Sequence, residues 1–185
     1  MQFLNYVSNL LYRASSIPVA LIVTLIYIGF MVSVMPQQSI ESSTYAGAWG
    51  APDRHFFYTP DQLYAEISGW SQEGRSHYIN FRLGLDIIWA LAYTGFLCSW
   101  ISILLSAGGL PVSHSKLFNA FPLATLVCDY GENFLGIVLV ANATNRMDTL
   151  AWAATLLTSM KWLTLVVAHL ILIWAGLRAW QARNR

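Results

Sequence analysis

Four apolar stretches dominate this chain: Ile17–Met35, Leu83–Leu105, Phe118–Ala141 and a run within Thr149–Leu177. Each is close to or above the roughly 20 residues that carry a helix across a bilayer. In hydrocarbon a spanning segment must satisfy its own backbone N–H and C=O groups, so each stretch is predicted to be helical. The expected fold is an all-α membrane protein, a bundle of four transmembrane helices. The chain reads as one integral membrane domain over residues 1–185, with spans at about 17–35, 83–105, 118–141 and 153–177. Charged residues make up 10% of the chain. A soluble domain carries about 25%, so the deficit points the same way. The fourth stretch exceeds one bilayer thickness and should tilt or protrude. The first has an apolar core longer than the roughly 7–15 residues of a signal peptide, and no A-x-A site follows it. It is expected to be retained as a span.

Several function classes lose support from what is missing. The formal net charge is +1, which gives no argument for a nucleic-acid partner. Cys98 and Cys128 stand alone in apolar segments, with no CxxC pair to suggest thiol chemistry or zinc. Both read as small buried hydrophobes. No phosphate-cradling glycine loop, GxSxG or HExxH is present, and no cofactor or metal is expected.

Positive residues set the orientation. Arg13 precedes span one, Lys116 lies between spans two and three, and Arg178, Arg183 and Arg185 follow span four. With four spans these share one side, so both termini are expected in the cytoplasm. A bacterial inner (plasma) membrane is the expected location. The segment at about 36–80 then lies outside. Its first half, Gln37–Tyr58, is rich in Ser, Gly, Ala and Pro and reads as irregular. Thr59-Pro60-Asp61 carries a cap and a first-turn proline, so Pro60–Gly69 is predicted to be a short amphipathic helix. Its apolar face would lie on the membrane surface or cover the bundle. A helix restarting at Ser71-Gln72-Glu73 should run unbroken into span two.

The spans are apolar but not uniformly so. Thr125, Asp129, Glu132, Asn133 and Gly136 share one face of span three. Arg82, Asp86, Trp89 and Tyr93 form a stripe on span two. Thr158, Lys161, Leu165, Ala168 and His169 do so on span four. Acids at bilayer depth cost about 2.5–3.5 kcal/mol each on insertion scales, so these faces should converge inside the bundle. Counted from the outer ends at about 1.5 Å per residue, Lys161 lies roughly 10 Å deep, Glu132 about 13 Å and Asp129 about 18 Å. Lys161 and Glu132 are therefore expected to pair. Asp86, Asp129 and Glu132 outnumber the nearby cations, so one carboxyl should hold a proton. His169 reads as an interhelical hydrogen bonder.

Three short motifs stand together: Gly74-Arg75-x-x-Tyr78, Asp86 followed by Tyr93, and Asp129-x-x-Glu132-Asn133. With Tyr58-Thr59-Pro60, this pattern resembles that of uncharacterised bacterial four-span integral membrane proteins. Those proteins often have a proline before the tyrosine of span two, where this chain has Trp89 and Ala90. The resemblance carries no activity. It implies that Arg75, Asp86, Tyr93, Asp129, Glu132 and Asn133 belong together.

The residues support two functional readings. In the first, Asp86, Tyr93, Asp129, Glu132, Asn133 and Lys161 line an outward-facing site. That site would bind a membrane lipid or small amphiphile, or serve a subunit of a membrane complex, with a membrane protein partner or a second copy. In the second, the protein is a membrane-embedded enzyme with Glu132 or Asp129 as general acid or base on a lipid-like substrate. A third possibility is purely structural, with the charges acting as struts between helices.

Overall fold

The computed structural model describes residues 10–111 and 117–184. Lys116 and Arg185, used above to orient the chain, lie outside them. The described elements are helical: α1 Ile17–Gly29, a π-helical turn at Phe30–Val34, α2 Met35–Ala46, a 3-10 turn at Pro52–Arg54, α3 Pro60–Ile67, α4 Gln72–Leu83, α5 Leu85–Ala107, α6 Ala120–Ala141 and α7 Asp148–Arg183. Four continuous or near-continuous helices are long and apolar enough to cross a membrane: Ile17–Ala46, Gln72–Ala107, Ala120–Ala141 and Asp148–Arg183. Their outward faces carry exposed leucine, isoleucine and valine, such as Leu25, Val127, Leu163 and Leu170. A water-facing surface would be polar there, whereas hydrocarbon accepts these side chains.

Two sequence-based boundaries change. The first helix does not stop at Met35 but continues to Ala46 through residues expected to be irregular. Pro36 lacks an N–H, and its ring crowds the preceding turn. The π turn widens that stretch, and the Met35 N–H reaches back to Phe30 O, so the helix passes the proline without ending. Beyond it, α2 gains tertiary partners. Tyr45 packs edge-on against Trp70 at 4.9 Å between ring centroids, and Glu41 Oε2 lies 2.9 Å from His77 Nε2. The second change is at Gly84, where the helix expected to run unbroken is interrupted. Gly84 takes φ −116° and ψ −99°, outside the helical range. A Cβ there would stand 3.1 Å from the Asn80 carbonyl oxygen.

Contacts divide the chain into two compact units. The first comprises residues up to Ile28, Leu91–Leu126 and Leu163–Arg185. In it, Trp100 Nε1 donates to Thr24 Oγ1 at 2.8 Å, Tyr27 stacks on Phe96 at 4.6 Å, and Thr125 Oγ1 donates to Thr164 Oγ1 at 2.9 Å. Cys98 is buried among these helices. His169 was expected to bond between helices; among the described residues its Nδ1 bonds the Leu165 carbonyl, one turn back on its own helix.

The second unit comprises Gly29–Ala90 and Val127–Trp162. Its apolar core joins Leu63, Tyr64 and Ile67 of α3 to Trp70, Tyr78, Leu139, Val140, Ala151 and Ala154. α3 starts on a full capping box: Thr59 Oγ1 accepts from Gln62 N, and Gln62 Oε1 accepts from Thr59 N. Leu63 and Ile67 sit one turn apart on the face that enters the core. Each contributes about 1.5–3 kcal/mol by leaving water. The turn after α6 is tied to α3, where the Met147 N–H donates to Tyr64 Oη at 2.7 Å and Arg146 pairs with Asp61 at 2.6 Å.

Ile67 is fully buried. Ile67→Ala should therefore cost about 2–4 kcal/mol. The expected result is a clear drop in the melting temperature of the full chain in detergent, with helix content by circular dichroism unchanged below the transition.

Candidate functional site

The charged cluster lies wholly within the second unit and is built around two cations. Arg82, in the last turn of α4, is 3% exposed in its side chain. Its Nη1 donates to Asp86 Oδ2 at 2.7 Å and to Asn133 Oδ1 at 3.2 Å. Its Nη2 pairs with Asp53 Oδ1. Asn133 completes the triangle by donating Nδ2 to Asp86 Oδ2 at 2.6 Å. The guanidinium also lies over the Tyr78 ring, 4.9 Å from its centroid. A planar fork with several fixed donors can serve three partners at once, which an ammonium on a flexible stem does less well.

Lys161 of α7 is the second cation. Its Nζ lies 2.6 Å from Glu132 Oε2 and 3.4 Å from Asp129 Oδ1. The Lys161–Glu132 contact expected from the two depths is thus present. Asp129 and Glu132 are three residues apart on α6, so both carboxylates face α7. Glu132 Oε1 is buried with no hydrogen-bond partner among the described residues, as is Arg82 Nε.

Small residues let these helices approach. A Cβ on Gly136 would meet the Tyr78 hydroxyl at 2.5 Å, so any larger residue would force the buried Tyr78 ring to shift where α6 passes it. On the span-three face, Gly136 lies one turn beyond Glu132.

Of the sequence-derived residues, Asp86 and Asn133 gather on Arg82, and Asp129 and Glu132 on Lys161. Tyr93 is buried and falls within the first unit. Arg75, grouped with the acids by the family-like pattern, instead donates to the Ser68 carbonyl at 3.2 Å. Arg82 was visible in the sequence on the same stripe as Asp86 but not as the centre of the group. Asp53 was missed. It sits in a 3-10 turn within a segment without helical periodicity, so no spacing rule could aim it at Arg82.

That segment is tied down on α7. Trp162 Nε1 donates to the Asp53 carbonyl at 3.1 Å, Ser159 Oγ donates to the Phe56 carbonyl at 2.7 Å, and the Tyr58 N–H donates to Thr155 Oγ1 at 3.0 Å. Burial pushes the Asp53 carboxyl up, but Arg82, and behind it Lys161, outweigh that and hold it below the usual carboxylate range. Burial raises the Tyr58 phenol above the ordinary tyrosine range, and its hydroxyl is hydrogen-bonded with Thr158.

Four carboxylates thus share two cations. Among the described residues, no three His, Cys, Asp or Glu side chains are grouped so as to hold a metal ion. No family model matches the chain, and neither a curated protein nor a solved structure matches it.

Two consequences can be measured. Arg82→Gln leaves Asp53 and Asp86 without their cation and should cost about 3–5 kcal/mol. Adding Asp86→Asn should recover part of that loss, a non-additivity read from thermal unfolding of the two single variants and the double. Asp53 is held low in the folded state, so its stabilising contribution is complete above the unfolded value of about 3.9 and is lost as pH falls through its folded value. Asp53→Asn should lower stability at pH 7 and remove that part of the acid-side decline.

Proposed function

We propose that this chain is a multi-pass protein of the bacterial inner membrane, with both termini cytoplasmic. Its buried acidic cluster forms an outward-facing site for a membrane lipid or small amphiphile. Four helices long and apolar enough to span, together with a buried charged cluster, fit a multi-pass membrane protein. The positive residues flanking the spans support the orientation. The likeness to bacterial four-span proteins supports the location.

One observation carries the binding reading: four carboxylates are gathered on two cations, and Glu132 Oε1 is left as a buried acceptor. A strut needs only as many acids as bases, because an extra carboxylate within the spans, as with Asp129 beside Glu132 on Lys161, adds insertion cost without a cation of its own. An excess of acceptors suits a headgroup that brings donors, a hydroxyl or an amine. The pinned segment from Asp53 to Tyr58 supplies one of the acids, so it belongs to the site as well as covering it. Glu132 takes the ligand's donor, Lys161 holds Glu132 in place, and Arg82 keeps Asp53, Asp86 and Asn133 fixed.

The test is ligand retention by the full chain purified in mild detergent, read by native mass spectrometry. The wild type should keep a bound amphiphile. Glu132→Gln should keep its fold and lose about tenfold in retention, the worth of one hydrogen bond to a charged group. Lys161→Ala should fold and release the ligand. A wild type with nothing bound at stoichiometric level, or a Glu132→Gln variant that retains as well as the wild type, would overturn the reading. Failure of Lys161→Ala to assemble, with retention unchanged in Glu132→Gln, would leave the cluster a structural strut.

A further inference from the structure

A second site lies apart from the acidic cluster, entirely within the first unit. A cavity of about 560 Å³ is lined by Arg13, Ser16, Ile17, Ser102, Ile103 and Ser106, with Tyr12 and Ser15 beside them. Its size is within the range of small-ligand sites, about 300–1,000 Å³. Its chemistry is the reverse of the cluster. Among the described residues, Arg13 is the charged group in this lining and no carboxylate is part of it. The remaining polar groups are hydroxyls. Ser15 spends its hydrogen on the Leu11 carbonyl at 2.6 Å. Ser102 is 1% exposed and accepts from Asn119 Nδ2 at 2.7 Å, which leaves its own O–H hydrogen to donate. Ser16 and Ser106 add two more hydroxyls to the lining, one from the chain entering α1 and one from the end of α5.

A guanidinium with several hydroxyl donors and no competing acid is suited to a phosphate oxyanion, which accepts bidentate and charge-assisted hydrogen bonds. The apolar surroundings identify what carries the phosphate. Ile17 is 51% exposed, and Leu21, Ile22 and Leu25 continue an exposed apolar surface along α1 away from the cavity. A free ion would have no use for that track, whereas a lipid acyl chain would lie along it.

We propose that this cavity binds a phosphate group, and that the phosphate belongs to the headgroup of an anionic phospholipid whose chains lie along α1. Arg13 takes the phosphate oxygens. Ser16, Ser102 and Ser106 donate to the phosphate or to the headgroup hydroxyls. Basic pockets between membrane helices are suited to such headgroups. The inference stands independently of any ligand at Glu132.

The experiment uses the full chain in detergent, titrated with phosphatidylglycerol or with phosphatidylcholine and read by native mass spectrometry. Phosphatidylglycerol should be retained about fivefold better, the worth of one basic residue acting on an anionic lipid. Arg13→Gln should remove that preference. The double variant Ser16→Ala/Ser106→Ala keeps the charge and should lower phosphatidylglycerol retention by roughly tenfold. Unchanged melting temperatures for these variants would confirm that the fold is intact. Inorganic phosphate separates the sources. Failure to compete at millimolar concentration assigns the site to the lipid headgroup. Full competition retains the phosphate site but overturns the lipid assignment. Equal retention of the two lipids by the wild type overturns the proposal. So does a loss in Arg13→Gln with none in the double serine variant, which would reduce the effect to surface charge.

Discussion

A guanidinium without water around it must be met by acceptors on several sides, and Arg82 meets that demand by drawing three parts of the chain together. Asp86 comes from the next turn, across the break at Gly84. Asn133 comes from α6, and Asp53 comes from a 3-10 turn far back in sequence. Together these partners meet both terminal nitrogens of the guanidinium, while its Nε is left without a hydrogen-bond partner among the described residues. Removing the arginine strands two carboxylates, whereas removing one carboxylate strands part of one cation. The dependence is therefore asymmetric, and the irregular segment from Gly47 to Thr59 owes one of its fixed points to this residue. The other fixed points are backbone bonds to α7, which hold Asp53, Phe56 and Tyr58 in register along one helix face.

Lys161 repeats the principle with different chemistry. A compact ammonium takes Glu132 and Asp129 from successive turns of α6, so the α6–α7 pairing is fixed by charge as well as by packing. The two cationic centres share more acids than charge balance requires. That excess is the feature on which the proposed ligand site rests. It also places the acidic centre in contrast with the arginine and serine cavity of the other unit, which has hydroxyls where the cluster has carboxylates. The same chain thus holds two polar environments of opposite sign, each built where helices carry small or polar residues inward.

Much of the site is legible in the sequence. Helical spacing placed Asp129, Glu132 and Asn133 on one face, and a rise per residue of about 1.5 Å was enough to pair Lys161 with Glu132. Those inferences succeed because a helix converts sequence separation directly into direction and depth. The failures share the opposite cause. Asp53 lies where the backbone has no repeat, so its aim at Arg82 is set by the bonds that Trp162, Ser159 and Thr155 make to its segment. The extension of the first helix through Pro36 depended on a π turn and on the Tyr45–Trp70 and Glu41–His77 contacts, none of which is a local propensity.

The sequence by itself determined that the chain is helical, that four of its helices are long and apolar enough to cross a membrane, and that their polar residues lie on inward stripes. Length, hydropathy and the 3.6-residue period carry that information locally. Only the tertiary structure decided that Arg82 is the hub, that Asp53 completes it, that the helix breaks at Gly84, and that a basic, hydroxyl-lined cavity exists near Arg13. Each of these depends on which segments meet. Such meetings are settled by the joint need to pair buried charge and close-pack side chains, a condition on the whole chain that no stretch of it contains.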